Sequence, residues 1–307
     1  MSFIRVILCS LCLLAATISP ADESATTNDA AAQPNAATAK HRLRYKFHPD
    51  EVIRTKVTHQ AAVKTTIEGT TQKAETVSIS LKNWRVTKID EDGFVTFVHS
   101  VEYVDMKTDL TGRETLRFDS RKNEEPPPSY QDVAKRVGIP LTRIVMDDTG
   151  KIFKREELAP GLVVPSQLTM PLPPDPVKVG DDWTFPDTLR IKLRNGEIKS
   201  VKMRQRFELK SVEDGVAEIH VETQILSPIK DNKELESQLI QRQTEGNIRF
   251  DIEAGRVLGQ QIDLDRRLVG YPNDKSSMHY RTRFTEVLLE STDRTAANPT
   301  GPTAKKQ

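Results

Sequence analysis

The chain has 307 residues, with 45 Lys and Arg against 44 Asp and Glu, and 36% of its residues are hydrophobic; its mean hydropathy is −0.52. This composition excludes a membrane protein built from repeated apolar helices, and the balanced charge excludes a generally basic nucleic-acid binder. The length allows one large domain or two ordinary ones, either able to bury a core.

The first segment speaks to location. Arg5 is the only charge before an apolar run from Val6 to Ile18, and Ser19-Pro20-Ala21 places small residues where a signal peptidase reads. The pattern predicts a secretory signal over residues 1–21, and hence an exported, periplasmic or extracellular protein with no transmembrane span in the mature chain. The apolar run, about 13 residues, is shorter than the roughly 20 that a spanning helix needs. Cys9 and Cys12 are the only cysteines, and each follows a leucine, which does not suit a lipoprotein acceptor site. Cleavage after Ala21 leaves a mature chain without cysteine, which excludes disulfides, thiolate catalysis and Cys-ligated zinc together.

Residues 22–42 and 291–307 are rich in Ala, Thr, Asn and Gln and poor in large apolar side chains. They are expected to be a disordered linker and a disordered tail, because neither can bury enough surface to offset its chain entropy. A first β-rich half spans 43–158 and a second spans 177–290, separated by a proline-rich connector over 159–176.

The first half opens with Leu43, Tyr45 and Phe47 alternating with basic residues, the pattern of a strand with one buried face. His59 falls in line with Ile53, Val57 and Val63. Trp84 to Ile89 runs into the turn Asp90-Glu91-Asp92-Gly93 and out through Val95, Phe97, His99 and Val101. Ser129 to Gly138 reads as a short helix with Ser129 and Asp132 at capping-box spacing, and Asp147 to Gly150 as the turn of the next hairpin. The second half repeats this order. Phe207 to Val212 leads into Glu213-Asp214-Gly215, Asp231 to Glu245 reads as a helix burying Leu235, Leu239 and Ile240, and a hairpin turns at Asp251 to Gly255. Alternation throughout predicts a mainly β protein, with antiparallel curved sheets in two repeat-related halves, each carrying one short helix.

Val179-Gly180-Asp181-Asp182-Trp183, the Glu213-Asp214-Gly215 hairpin, and Phe250-Asp251 followed by Gly255-Arg256-Val257 resemble a family of exported bacterial proteins of unknown function. In that family two similar β halves follow a signal peptide. The resemblance implies fold and location, and carries over no catalytic residue. More distantly, a curved sheet with a covering helix resembles periplasmic lipid and lipoprotein carriers, at the level of fold.

The search for chemistry finds no phosphate-binding Gly loop, nucleophile elbow, zinc-protease motif or calcium loop, and so no cofactor is expected. Two constellations are candidates. His59 and His99 are predicted to point inward, where a pair of imidazoles could sense protons or hold a metal. Arg190, Lys192 and Arg194 precede the Asn195-Gly196 turn and Lys202, Arg204 and Arg206 follow it; a bulge near Lys199 and Ser200 would bring all six onto one anion-binding face. The reading is a non-catalytic binding or structural module for an apolar, amphipathic or anionic envelope component: a lipid, a glycan or another envelope protein. The alternative is an envelope hydrolase with a carboxylate site. N-terminal sequencing of exported protein is expected to begin at Asp22; an intact Met1 chain in membranes would overturn the cleavage site.

Overall fold

Acidic turns ending in glycine decide where this chain reverses. In the computed structural model, which describes residues 39–159, 169–229, 232–271 and 273–289, Gly93, Gly150, Gly215 and Gly255 all adopt positive φ, the region where an L side chain is disfavoured. The signal segment, both cysteines, most of the linker, residues 160–168 of the connector, Asp231 and the tail lie outside the described residues.

Twelve strands form one antiparallel sheet. They are β1 (Val52–Ile67), β2 (Thr70–Ile89), β3 (Val95–Leu110), β4 (Leu116–Asp119), β5 (Pro140–Met146) and β6 (Ile152–Glu157), then β7 (Asp182–Lys192), β8 (Ile198–Glu213), β9 (Val216–Ile225), β10 (Glu245–Asp251), β11 (Arg256–Val269) and β12 (Ser277–Leu288). The order across the sheet is β6-β5-β3-β2-β1-β12-β11-β10-β9-β8-β7, with β4 beside β3. Neighbours in sequence are neighbours in space on both sides of the central β1–β12 pair, so short hairpins build each side. The alternation expected two sets of curved strands; they make one continuous sheet because β1 pairs with β12 along most of its length.

The sheet is strongly curved. Laid flat, the seven strand spacings from β5 to β9 would cover roughly 34 Å, yet Ile144 on β5 and Ile219 on β9 belong to one buried cluster. Filling the gap between the two walls is residues 41–48, where the sequence pattern needs correction. Leu43 and Tyr45 are buried as the alternation requires, but the segment joins no ladder of the sheet. It runs extended through the core instead. His41 forms a bridge with Val177, so the last residues of the expected linker are part of the fold.

The main chain of this segment is held by both halves of the molecule. Tyr45 N donates to the carbonyl of Asp148 at 2.7 Å, and Lys46 N donates to the carbonyl of Gly255 at 3.0 Å. Tyr45 stacks on Phe47 and meets Phe250 edge-on, while its hydroxyl donates to the carbonyl of Met170 at 3.0 Å. Burial then raises the phenol pKa well above its ordinary value. The connector also differs from a loose spacer. Met170 and Leu172 are in the core, the Trp183 indole donates to Pro171 O at 2.8 Å, and Arg44 donates to the carbonyls of Pro173 and Pro174.

Two short helices lie on the inner face of the sheet. α1 (Gln131–Ala134) is shorter than the Ser129–Gly138 pattern and is entered through Tyr130 without a side-chain cap, so the Ser129/Asp132 capping box does not form. What holds it is burial of Tyr130 against Val104, Met106 and Phe118, with the phenol donating to Thr108 Oγ1 at 2.7 Å. α2 (Lys233–Leu239) is capped by Asn232, whose side chain accepts from Leu235 N, and continues into a 3-10 turn over Ile240–Arg242. Leu235 and Leu239 pack on β7 and β8, while Ile240 reaches Val63, Leu264 and Tyr280.

Gly150 and Gly255 are the test of this arrangement. A Cβ at Gly150 would lie 2.8 Å from Tyr45 Cε2 and from Met170 O, and one at Gly255 would lie 2.6 Å from Lys46 N. Gly150→Ala and Gly255→Ala are each expected to lower stability by more than about 1 kcal/mol, adding a clash to an unfavourable backbone angle. Denaturant melts would show it; unchanged midpoints would mean that the internal segment is not clamped.

Candidate functional site

Register assigns every side chain of β1, β2 and β12 to a face. Val57 and Val63 are buried inward, and β1 pairs with β2 and β12 without a shift. The inward set on β2 is therefore Ala74, Thr76, Ser78, Ser80, Lys82 and Trp84. Beside it stand Val57, His59, Ala61 and Val63 of β1, and Tyr280, Thr282, Phe284 and Glu286 of β12. From Ala74 to Ser80 no inward residue of β2 is larger than threonine, and all four are half-exposed. α1 stands at the β3 side of this strip and the 3-10 turn at the β11–β12 side. The result is a trough along the inner face, floored by small side chains and flanked by helical walls.

One end of the trough carries charge. The Glu286 carboxylate accepts from Thr55 Oγ1 and from Gln260 Nε2, both at 2.7 Å and each on a different oxygen. Lys82 Nζ lies 3.9 Å from Glu286 and 5.5 Å from the centre of the Phe284 ring. Beyond Lys82, Trp84 stacks on His99 with ring centres 4.4 Å apart.

The two histidines do point inward, and the fold keeps them apart. His99 pairs with Trp84, which pairs with Ile53, whereas His59 pairs with Ser78 six residues further along β1. That is roughly 20 Å along the strand, so they do not form a proton-sensing or metal-binding pair. No group of three or more His, Cys, Asp or Glu among the described residues is placed to hold a metal ion. His59 stands in the trough wall, where burial lowers its pKa. His99 is 8% exposed, and neither of its ring nitrogens has a partner; the hydroxyl of Thr142, directly across from it on β5, is likewise unpaired. Burial first, then the nearby Lys82 ammonium, lowers the His99 pKa to about 3.

Register places five of the six cations of the second half on the outer face, by a different route from the one expected, while Arg194 falls in the loop and turns toward α2 and Tyr271. β7 and β8 pair without a bulge, with Arg190 opposite Ser200 and Thr188 opposite Lys202. The phase is set by a longer loop over 193–197, closed by Leu193 N donating to Glu197 O at 2.8 Å. Arg206 sits among Asp182, Glu208 and Glu222 at 3.2, 3.3 and 3.6 Å, and Arg204 donates to Gln224. Arg194 stands over the Tyr271 ring. Carboxylates therefore compensate one end of the face, while the side chains of Arg190, Lys192 and Lys202 are exposed at the other.

The hydrolase alternative calls for two inward carboxylates close together. Glu286 on β12 and Asp187 on β7 are five strands apart in the sheet order. Lys82, Glu286 and the small residues of β2 were not singled out by sequence reasoning. The available signal was Lys82 standing two residues before Trp84, hence on the same face.

Residues 165–258 match the model of a family of unknown function (DUF6263). No curated protein matches the chain. Among solved structures, one of lipovitellin, on lipid–protein interactions in that protein, is similar at a TM-score of 0.47 and 10% identity over 83% of this chain. The chain spans about a quarter of that protein, 26% of its length. OpdQ of Pseudomonas aeruginosa gives a TM-score of 0.18 at 10% identity, covering 78% of this chain and 98% of the other. A DUF1329 family protein from Desulfovibrio piger gives 0.13 at 12% identity, covering 74% and 83%. None of these likenesses informs function. No helix among the described residues is long and apolar enough to cross a membrane.

His99 makes acid stability a direct readout of the site. With a folded pKa near 3 against about 6.5 unfolded, the unfolded chain binds the extra proton. Its contribution is fully present above pH 6.5 and is lost as pH falls toward 3, by up to about 1.4 kcal/mol per pH unit. His99→Gln is expected to flatten urea-melt stability over that window; an unchanged slope would place the acid sensitivity elsewhere.

Proposed function

We propose that this protein is an exported, non-catalytic binding module of the cell envelope that receives an apolar or amphipathic ligand on the concave face of its sheet. The observation that carries the reading is the strip Ala74, Thr76, Ser78 and Ser80. A β protein ordinarily fills its inner face with large side chains packed to high density, and here the centre of that face is lined by small ones that remain half-exposed. On the β1 side of the strip, Ala61 on β1 and Phe284 on β12 supply partly exposed surface for hydrocarbon.

The test is occupancy. Native mass spectrometry of protein purified from its own envelope is expected to show a co-purifying small amphiphile, and Nile red is expected to brighten on binding the emptied protein. Ser78→Phe, which places a ring in the trough between Met106 and His59, should lower Nile red affinity at least about tenfold, since filling a site removes the ligand's buried surface. An unchanged melting temperature would assign that loss to the trough. Absence of both co-purifying ligand and Nile red binding would sink the reading.

A further inference from the structure

The charged end of the trough has an imbalance that names the ligand's class. Glu286 is served twice, by Thr55 and Gln260 on its separate oxygens. Lys82, its neighbour, stands at 3.9 Å, beyond hydrogen-bond length for an ammonium and a carboxylate. Its ammonium donates no hydrogen bond to any described residue and rests near the Phe284 ring. The side chain is 24% exposed, so its stem is largely covered while its ammonium, which no described residue hydrogen-bonds, is open to a ligand entering along the strip.

We infer that Lys82 anchors the anionic head group of a single-chain amphiphile, a carboxylate or a phosphate monoester, whose hydrocarbon chain runs away from it along β2. The inference rests on the concave face being a binding surface, and it fixes the ligand's charge and orientation. From Lys82 the inward residues pass through Ser80, Ser78 and Thr76 to Ala74, a path of roughly 26 Å. That exceeds the depth of one bilayer leaflet, about 15 Å, so one acyl chain fits along it. Glu286 bears the opposite charge beside the anchor. With both its oxygens already engaged, it repels an anion placed close to it, and the head group must therefore meet Lys82 on the side of the ammonium turned away from β12. Trp84 is the next inward residue on β2, so the head group also lies beside a fluorophore.

Head-group charge is the variable to test. Nile red bound to wild-type protein is displaced in parallel by oleate, hexadecyl phosphate and oleyl alcohol, which share a long chain and differ in charge. The anions are expected to displace the dye at concentrations at least about tenfold lower than the alcohol, the worth of one charged hydrogen bond. Which anion leads identifies the head group. Lys82→Gln should erase the anions' advantage over the alcohol, and Lys82→Arg should keep most of it. Equal displacement by all three on wild-type protein, which requires no variant, would overturn the anchor and leave the trough standing. Failure of all three to displace the dye would remove the trough as well.

Discussion

Two main-chain hydrogen bonds, to adjacent residues of one buried segment, tie the molecule together. Tyr45 N reaches the turn of the β5–β6 hairpin at Asp148, and Lys46 N reaches the turn of the β10–β11 hairpin at Gly255. These hairpins lie toward opposite edges of the sheet, so a flat sheet could not satisfy both. The curvature, the shared core and the trough all follow from walls held at the distance of one extended strand. Each bond fixes one end of the span between the two hairpin turns, so losing either would release one wall from the segment.

Much of this was legible from residues alone. The turns at Asp90–Gly93, Asp147–Gly150, Glu213–Gly215 and Asp251–Gly255 could be read because positive φ leaves few choices of residue. The inward direction of His99 and the apolar contacts of α2 followed from periodicity. Three features could not be read locally. Leu43, Tyr45 and Phe47 alternate like a sheet strand, and only the presence of two distant turns makes the segment an internal one. The length of the loop after Lys192 depends on whether Leu193 is buried, as it is, and that decision belongs to α2. The separation of His59 from His99 depends on register across three strands, which parity of position cannot supply.

The trough was hidden by a conflict between local and global patterning. Within β2, Val77, Ile79 and Leu81 alternate with Ser78 and Ser80, and hydrophobicity alone would turn the valine, isoleucine and leucine inward. Pairing with β1 turns them outward, since Val57 and Val63 are fixed in the core and face Ser80 and Ala74. Places where a strand's own pattern disagrees with its assigned face are where function is expected to have overruled packing. The unpaired nitrogens of His99 and the unpaired hydroxyl of Thr142 lie at the end of this same strip. Polar groups left wanting in a protein interior point to what the interior was shaped to receive.

The internal position of residues 41–48 also bears on how the chain reaches its folded state. This segment precedes every strand of the sheet, yet its partners at Asp148, Met170, Val177 and Gly255 come from four later regions of the sequence. β1 likewise finds β12 only after 288 residues are available. A topology dominated by such distant pairings folds slowly, and an apolar segment that leads the chain and docks last stays open to proteases and to other chains in the meantime. For a chain made from its N-terminus, the interval between the emergence of Tyr45 and the arrival of Gly255 is the period of greatest exposure, and chaperone protection would matter most then.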